Sequence, residues 1–322
     1  METPYRITLA DIRDAAARIA PHAQVTPVLR SRSLDQLAGA ELFFKCEQLQ
    51  RMGAFKFRGA CNAVGSLPED VARRGVVTHS SGNHGAALAL AASTRGIACH
   101  VVVPEGAVKA KLAAIERYGA QLHPCAATIA AREQTAAAVQ QQTGATLVHP
   151  YTDPAVIAGQ GTAALELLQQ SGGVDVLITP VGGGGLSSGC AIAARGLQPG
   201  IAVYAAEPEG APDAYESFRR GERFTDIVPL TIADGLRGTI GAINFALMRE
   251  HVDAVLPVGE AQIVAAMRLI WERLKQVVEP SSATVLAAIL RHPQHFAGKR
   301  VGVVLSGGNV DLDALPWMAT RA

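Results

Sequence analysis

The stretch GVVTHSSGNHGAALALAASTRGIACHVVVP, residues 75–104, carries the pattern on which the fold turns. Two short apolar runs, GVVTH and CHVVVP, enclose the run NHGAALALAASTRG, which has helical length and ends on glycine. Short β-branched runs bounded by turn residues read as buried strands, and the alanine-rich run between them reads as a helix with a glycine stop. A strand, a helix and a second strand form a βαβ unit, so the strands run parallel with a right-handed crossover.

The alternation continues in both directions. VKAKLAAIERYG and IAAREQTAAAVQQQTG read as further helices, and QLHPC and TLVHP as further strands. A second series follows: the strand VDVLITP, a run of glycines, the helix LSSGCAIAARGL, the strands IAVYAAEPEG and RVGVVLSGGN, and helical patterns over 259–276 and 281–291. The N-terminal part has a helix of its own and the strand ELFFKCEQ. The expected fold is α/β, with twisted, mostly parallel sheets flanked by helices. The expected division is a large domain from 1–74 plus 150–322 and a small inserted α/β domain over 75–149.

Composition narrows the class of protein. Of 322 residues 49% are hydrophobic, which is ample for a sizeable core. Lys and Arg total 29 against 28 Asp and Glu, so the near-neutral chain has no electrostatic footprint for nucleic acid. No apolar run reaches the roughly 18 residues of a spanning helix. The N-terminal stretch METPYRITLADIRDAAARIA has acidic residues and no apolar core, unlike a signal peptide. Cys46, Cys61, Cys99, Cys125 and Cys190 show no zinc or disulfide spacing, which fits reduced thiols in a cytoplasm.

Four motifs carry chemistry. PVGGGGLSSG, residues 180–189, places Gly182 to Gly185 between a strand and a helix. Consecutive glycines let backbone N–H groups converge on an anion, and a helix N-terminus adds positive potential. A nucleotide P-loop needs Lys after Gly189 and finds Cys190; a dinucleotide fingerprint starting at Gly182 needs glycine at 187 and finds Ser187. The loop therefore suits a phosphate without suiting a nucleotide. SSGNHG, residues 80–85, opens a helix with Ser80, Ser81 and Asn83 in a nest of carboxylate size. VVLSGGNVD, residues 303–311, brings Ser306 to the end of a strand. RMGAFKFRGA, residues 51–60, sets Lys56 between Phe55 and Phe57, where desolvation would disfavour the ammonium form. Alone, each has a plain reading: a tight turn, an ordinary N-cap, a strand end, an edge strand with Lys56 facing water. Together, since ligands of open α/β sheets bind at the carboxyl ends of strands, they describe one crevice with a phosphate cradle, a carboxylate nest and a lysine. Pyridoxal phosphate has a phosphate, an aldehyde for a lysine and a ring nitrogen that needs a partner.

Here the chain resembles the fold-type II pyridoxal-phosphate enzymes (tryptophan synthase β-like), in the serine/threonine dehydratase and serine racemase group. The matching segments run in family order from KCEQLQRMGAFKFRGACNAV through SSGNHGAALALAA, VVVPEGAVKAKLAAIERYGA, DPAVIAGQGTAALEL, PVGGGGLSSG, YAAEPEGAPD, TIADGL and WERLKQVVEPSSA to LSGGNVDL. The resemblance implies that Lys56 is the Schiff-base lysine and moves the Cα proton. It implies that Asn83 meets the cofactor's phenolic oxygen, that Phe55 packs by the ring and that Glu279 lies near it. Gly182, Gly183, Gly184, Gly185 and Leu186 would donate N–H groups to the phosphate, and Ser306 would face the ring nitrogen. Ser80, Ser81, Asn83 and His84 would hold the substrate carboxylate. Ser81 also matches a serine that can return a proton on the opposite face, which opens a racemase side activity. Arg132 matches an arginine near the substrate side chain, and Gly238 and Thr239 stand where hydroxyl residues often line the substrate.

The same resemblance implies a divalent cation, Mg²⁺ or Ca²⁺, on Glu207, the carbonyl of Ala211 and Asp213; read alone, EPEGAPD is a solvated acidic loop. Departures from the family pattern are Ala54 for a usual serine, Ala86 for a frequent glutamine, and Tyr151 and Thr152 in HPYTDP, which lie near the crevice and bear on substrate choice. The expected activity is dehydration and deamination of a β-hydroxy amino acid, L-threonine or L-serine, to a 2-oxo acid and ammonia. L-threo-3-hydroxyaspartate ammonia-lyase and serine or aspartate racemase are the enzyme alternatives, and an amino-acid-binding sensor the non-enzyme one. A Rossmann oxidoreductase is opposed by the failed fingerprint. A homodimer is expected, with no membrane or nucleic-acid partner. A C-terminal regulatory domain is not expected beyond Trp317.

Overall fold

The computed structural model describes residues 6–318 other than Val108. Ten strands are present among them: β1 (Val28–Leu29), β2 (Glu41–Cys46), β3 (Val76–Thr78), β4 (Cys99–Pro104), β5 (Gln121–Cys125), β6 (Thr146–Leu147), β7 (Val176–Pro180), β8 (Ala202–Pro208), β9 (Ala254–Val258) and β10 (Arg300–Leu305). They form a six-stranded sheet in the order β1-β2-β10-β7-β8-β9 and a four-stranded sheet in the order β5-β4-β3-β6. Every pairing is parallel except that of β1 with β2. β2 pairs with β10 across most of the chain length, with Phe44 opposite Val303.

The continuous apolar runs of β7 and β10 are buried, as expected for parallel strands covered on both faces. The helices stop where the sequence says. Gly96 and Gly144 end the helices Asn83–Arg95 and Ile129–Thr143 in the left-handed conformation, at φ 73° and 72°.

One helix sets the site. Pro154–Ser171 begins with Pro154 in its first turn, and Asp153 caps it by accepting the N–H groups of Ala155 and Val156. Its glycines allow two further helices to press against it. A Cβ on Gly159 would stand 2.6 Å from Gly59 Cα, in the helix Lys56–Ser66. A Cβ on Gly161 would stand 2.7 Å from the carbonyl of Gly189, in the helix Gly185–Leu197. The same helix thus fixes the lysine and the glycine loop.

Two local readings are corrected. RMGAFKFRGA is no edge strand: Arg51–Gly53 is a single 3₁₀ turn, Ala54 bridges to Gly307, and Lys56 opens a helix. The pattern over 259–276 is a helix only to Leu269, then a π-turn over Ile270–Leu274 that ends at Lys275 with φ 60°. The sequence reading also missed β9, because Pro257 interrupts it; the strand tolerates the proline at the sheet edge, where it pairs with β8 alone.

Candidate active site

Lys56 lies at the start of its helix and donates from Nζ to the carbonyl of Pro150 at 2.9 Å. Burial lowers its ammonium to about 8, against the upward pull of the Glu279 carboxylate. The expected pair of aromatic walls is not there. Phe55 does face it, with Nζ 5.1 Å from the ring centroid. Phe57 points the other way, fully buried among Val64, Leu88 and Val101, with Arg51 over its ring. Successive residues of a helix start diverge by about 100°, so alternate flanking by both neighbours is a strand's geometry.

Histidines supply the remaining surroundings. His84 is buried, and its Nε2 meets the carbonyl of Val148 at 3.2 Å. A carbonyl requires a donor, so Nε2 carries the proton and Nδ1, which has no partner, is an acceptor. Burial, with Lys56 next, holds its charged form well below the usual range. The His84 side chain therefore cannot donate to a carboxylate from Nδ1; its main-chain N–H at the helix start can. His149 was missed by the sequence reading. Its Nδ1 accepts the N–H groups of Thr152 at 3.1 Å and Tyr151 at 3.4 Å, and burial lowers it to about 4.

Gly182 to Leu186 follow β7 and open the next helix with no side-chain cap. Among the described residues no protein acceptor takes the N–H groups of Gly183, Gly184, Gly185 or Leu186. Unpaired donors at a buried helix start are the mark of an anion site. The glycines are also sterically required. A Cβ on Gly183 would overlap the Tyr151 ring, one on Gly182 would stand 2.9 Å from Leu236 Cα, and Gly184 has φ 91° with Asn244 Cβ at 2.7 Å. The cradle fits the phosphate of pyridoxal phosphate.

The other strand ends converge on it. Asn83 Nδ2 lies 3.2 Å from both oxygens of Glu279, and Asn83 Oδ1 accepts from Asn309 Nδ2 at 2.9 Å. Asn309 also donates to the carbonyl of Met52, a residue held at φ 56°, and so ties the turn before Lys56 to the SSGNHG loop. Ser306 is buried, with its Oγ 3.1 Å from that of Ser282. Its carbonyl accepts from Phe55 N at 2.9 Å, which joins the third strand end to the lysine turn. Ser80 and Ser81 stand half-buried before Asn83, and Thr239 is half-buried on the segment that lies over Gly182. Arg132, from the helix Ile129–Thr143, has a buried Nε with no partner. It acts electrostatically on His79, whose ring meets His149 edge-on at 5.2 Å.

Asp213 borders this crevice: it accepts the N–H of Ile240, next to Thr239, at 2.6 Å, and Glu207 is its neighbour. Glu207 is fully buried and accepts the N–H groups of Ala214 and Tyr215 at 2.8 and 2.7 Å. Burial, then the neighbouring Asp213, pushes its carboxyl well above the usual range; burial brings Asp213 up to about 6. Among the described residues no N–H takes the carbonyl of Ala211. No group of three or more His, Cys, Asp or Glu side chains converges there or elsewhere among the described residues. Two acidic groups with raised pKa and an open carbonyl still form an oxygen donor set that suits a hard cation.

A family model described as "pyridoxal-phosphate dependent enzyme" matches residues 19–307, and the chain belongs to that family of enzymes, with pyridoxal phosphate as cofactor. It is 50% identical over 313 residues to a "beta-hydroxyaspartate dehydratase" of Paracoccus denitrificans (strain Pd 1222), covering 97% of this chain and 99% of the other. The crystal structure of serine racemase from Dictyostelium discoideum has a TM-score of 0.91 at 51% identity, covering 95% and 99%. That of a threonine deaminase from T.th. has a TM-score of 0.90 at 42% identity, covering 95% and 99%. The fold is accordingly the two-domain arrangement of fold type II. No described helix is long and apolar enough to cross a membrane.

Proposed function

We propose that the enzyme dehydrates and deaminates a β-hydroxy amino acid to a 2-oxo acid and ammonia. The observation that carries this reading is a lysine lowered to about 8 beside a buried helix start with unpaired donors. Pyridoxal phosphate, when bound, supplies an aldehyde for the substrate amine and a sink for the electron pair left at Cα. The N–H groups of Gly183 to Leu186 would hold its phosphate, Phe55 and Asn83 would flank it, and Ser306 would serve the ring nitrogen. A serine there does not hold the pyridine protonated as a carboxylate would, which favours elimination over transamination.

The protein's own residues do the rest. Ser80, Ser81 and the main-chain N–H groups of Asn83 and His84 hold the α-carboxylate. Lys56 takes the Cα proton as its neutral amine. Water leaves from Cβ; hydrolysis then consumes one water and releases ammonia, so the atoms balance. Ser81 returns a proton on the opposite face in a racemase side reaction. L-Serine and L-threonine fit this chemistry. The unpartnered buried Nε of Arg132 favours a second reading, in which the substrate is 3-hydroxyaspartate.

Glu207, Asp213 and the Ala211 carbonyl would hold a Mg²⁺ or Ca²⁺ ion, which would stabilise the fold beside the site. We take 1–74 with 150–322 as the cofactor-binding unit and 75–149 as the smaller one; β3 to β6 all fall within the latter. We place the protein in the cytoplasm, where its five free, buried cysteines stay reduced, and take it to be a homodimer, which light scattering tests. The deciding experiment supplies L-serine, L-threonine and the isomers of 3-hydroxyaspartate to the purified enzyme with pyridoxal phosphate and Mg²⁺. Release of a 2-oxo acid is expected; none from any of them would overturn the reading.

A further inference from the structure

The hydroxyl of Ser282 meets the site through another side chain, and the mechanism above gives it no task. Ser282 lies in the first turn of the helix Pro280–Arg291, and Ser306 directly follows β10. Both are buried, Ser282 fully. Among the described residues Ser282 Oγ has three hydrogen-bonding neighbours: the N–H of Gly307 at 2.7 Å, the carbonyl of Gly307 at 2.7 Å and Ser306 Oγ at 3.1 Å. Gly307 is closely packed in its turn, since a Cβ there would stand 2.8 Å from Glu279 Oε1 and 3.1 Å from Ala54 Cβ.

Hydrogen counting fixes the sense of these bonds. The N–H of Gly307 can only donate, and its carbonyl can only accept. Two oxygens 2.7 Å apart with no hydrogen between them would repel, so the single hydrogen of Ser282 goes to the carbonyl. None is left for Ser306. The 3.1 Å contact is then a bond in which Ser306 donates, and the only hydrogen of Ser306 is used there. For a further partner Ser306 Oγ keeps lone pairs alone. A neutral pyridine nitrogen carries a lone pair itself and needs a donor; a protonated one needs an acceptor.

We infer that Ser282 is a positioning residue: it turns the Ser306 hydroxyl into an acceptor and so favours the protonated form of the cofactor's ring nitrogen. The inference rests on the reading that Ser306 would serve that nitrogen, and deepens it. A neutral hydroxyl holds such a proton less firmly than a carboxylate, but more firmly than a serine free to donate. A protonated ring draws the electron pair from Cα more strongly, so Ser282 would strengthen the sink on which Lys56 depends. The charged groups nearby are Glu279, beside Gly307, and Lys56, on which Glu279 acts. Both stay in place in the variants that follow.

Ser282→Ala removes the competitor for the Ser306 hydrogen, and Ser306→Ala removes the Ser306 hydroxyl itself. Each enzyme is loaded with pyridoxal phosphate carrying nitrogen-15 in its ring, and the nitrogen-15 chemical shift, which separates pyridine from pyridinium, is followed with pH. The ring nitrogen is expected to titrate about one pH unit lower in Ser282→Ala than in the wild type, the size of about one hydrogen bond. Ser306→Ala decides the sense of the bond without touching Ser282: losing an acceptor lowers the midpoint, whereas losing a donor raises it. A midpoint moved by less than about 0.3 unit in Ser282→Ala overturns the inference, even if Tm or cofactor affinity falls, because a merely structural role would do only that. A raised midpoint in Ser306→Ala overturns it as well, and this variant decides alone should Ser282→Ala fail to fold. An unmoved midpoint in Ser306→Ala overturns it together with the assignment of Ser306 to the ring nitrogen. Absence of 2-oxo acid from the wild type sinks the elimination reading, while the nitrogen-15 titration still decides Ser282.

Discussion

Lys56 Nζ donates to the carbonyl of Pro150 at 2.9 Å, across 94 residues of sequence. The bond aims the amine into the crevice, and burial lowers it to about 8. Lys56→Ala should abolish the visible absorbance that pyridoxal phosphate acquires on binding and lower turnover by at least about 10³-fold. As the lysine acts in its neutral form, kcat/KM should rise with pH up to about 8 and then level. Normal turnover in Lys56→Ala would falsify the assignment.

The same lysine ties cofactor-free stability to pH. Its folded pKa is about 8 and its ordinary value 10.5. Between these values the unfolded chain binds more protons, so stability rises with pH across that window and is lost as pH falls through 8. The change is about 3 kcal/mol at most. Denaturant midpoints of the cofactor-free protein at pH 7.5 and 10 should therefore differ less in Lys56→Met than in the wild type, once global alkaline effects are shared.

Gly183→Ala forces a methyl into the Tyr151 ring. Overpacking of this kind costs about 1–3 kcal/mol. Displacement of the loop should also weaken pyridoxal-phosphate binding by at least about tenfold, read by fluorescence titration. Unchanged affinity would mean that the phosphate sits elsewhere.

Glu207 and Asp213 hold raised pKa values because two carboxyls are buried together. Without a cation the folded state keeps the Asp213 proton more tightly, so its contribution is lost as pH rises from 3.8 toward 6. A cation must displace that proton, so its affinity should climb as pH rises through about 6. Mg²⁺ or Ca²⁺ should raise Tm by several degrees at pH 7.5, and Asp213→Asn should remove the effect. An identical cation response in that variant counts against the site.

Arg58 and Glu47 are fully buried, joined at 2.6 Å, and Arg58 also reaches Glu166, which binds Lys45 at 2.6 Å. Removing one partner strands the other charges. Arg58→Met should cost about 3–5 kcal/mol in denaturant unfolding, more than Arg18→Met on the surface. Equal losses would show that Arg58 contributes packing alone.

Much of the crevice could be read along the chain because its parts are local. A glycine run after a strand and a small polar loop before a helix announce themselves by composition, and each stands at a strand end where the fold directs it to one side. The surroundings of Lys56 could not be read this way. FKF suggested two aromatic walls, yet a helix start turns Phe57 into the core and leaves Phe55 alone beside the amine. His149 had one weak signal, its place just after β6, and His79 another, its place at the end of β3. HPYTDP drew notice as a departure, but nothing in it says that Tyr151 covers Gly183.

The sequence by itself determined most of the order of strands and helices, their glycine stops and the chemical types gathered at the strand ends, since these depend on local backbone preference and on hydrophobic period. Which side chains meet was decided by tertiary packing. The glycines at 59, 159, 161 and 189 let three helices close on one another, and that approach brings Pro150 to Lys56 and the Tyr151 ring onto Gly183. Such contacts join residues distant in sequence through shape, and shape exists only once the helices have packed.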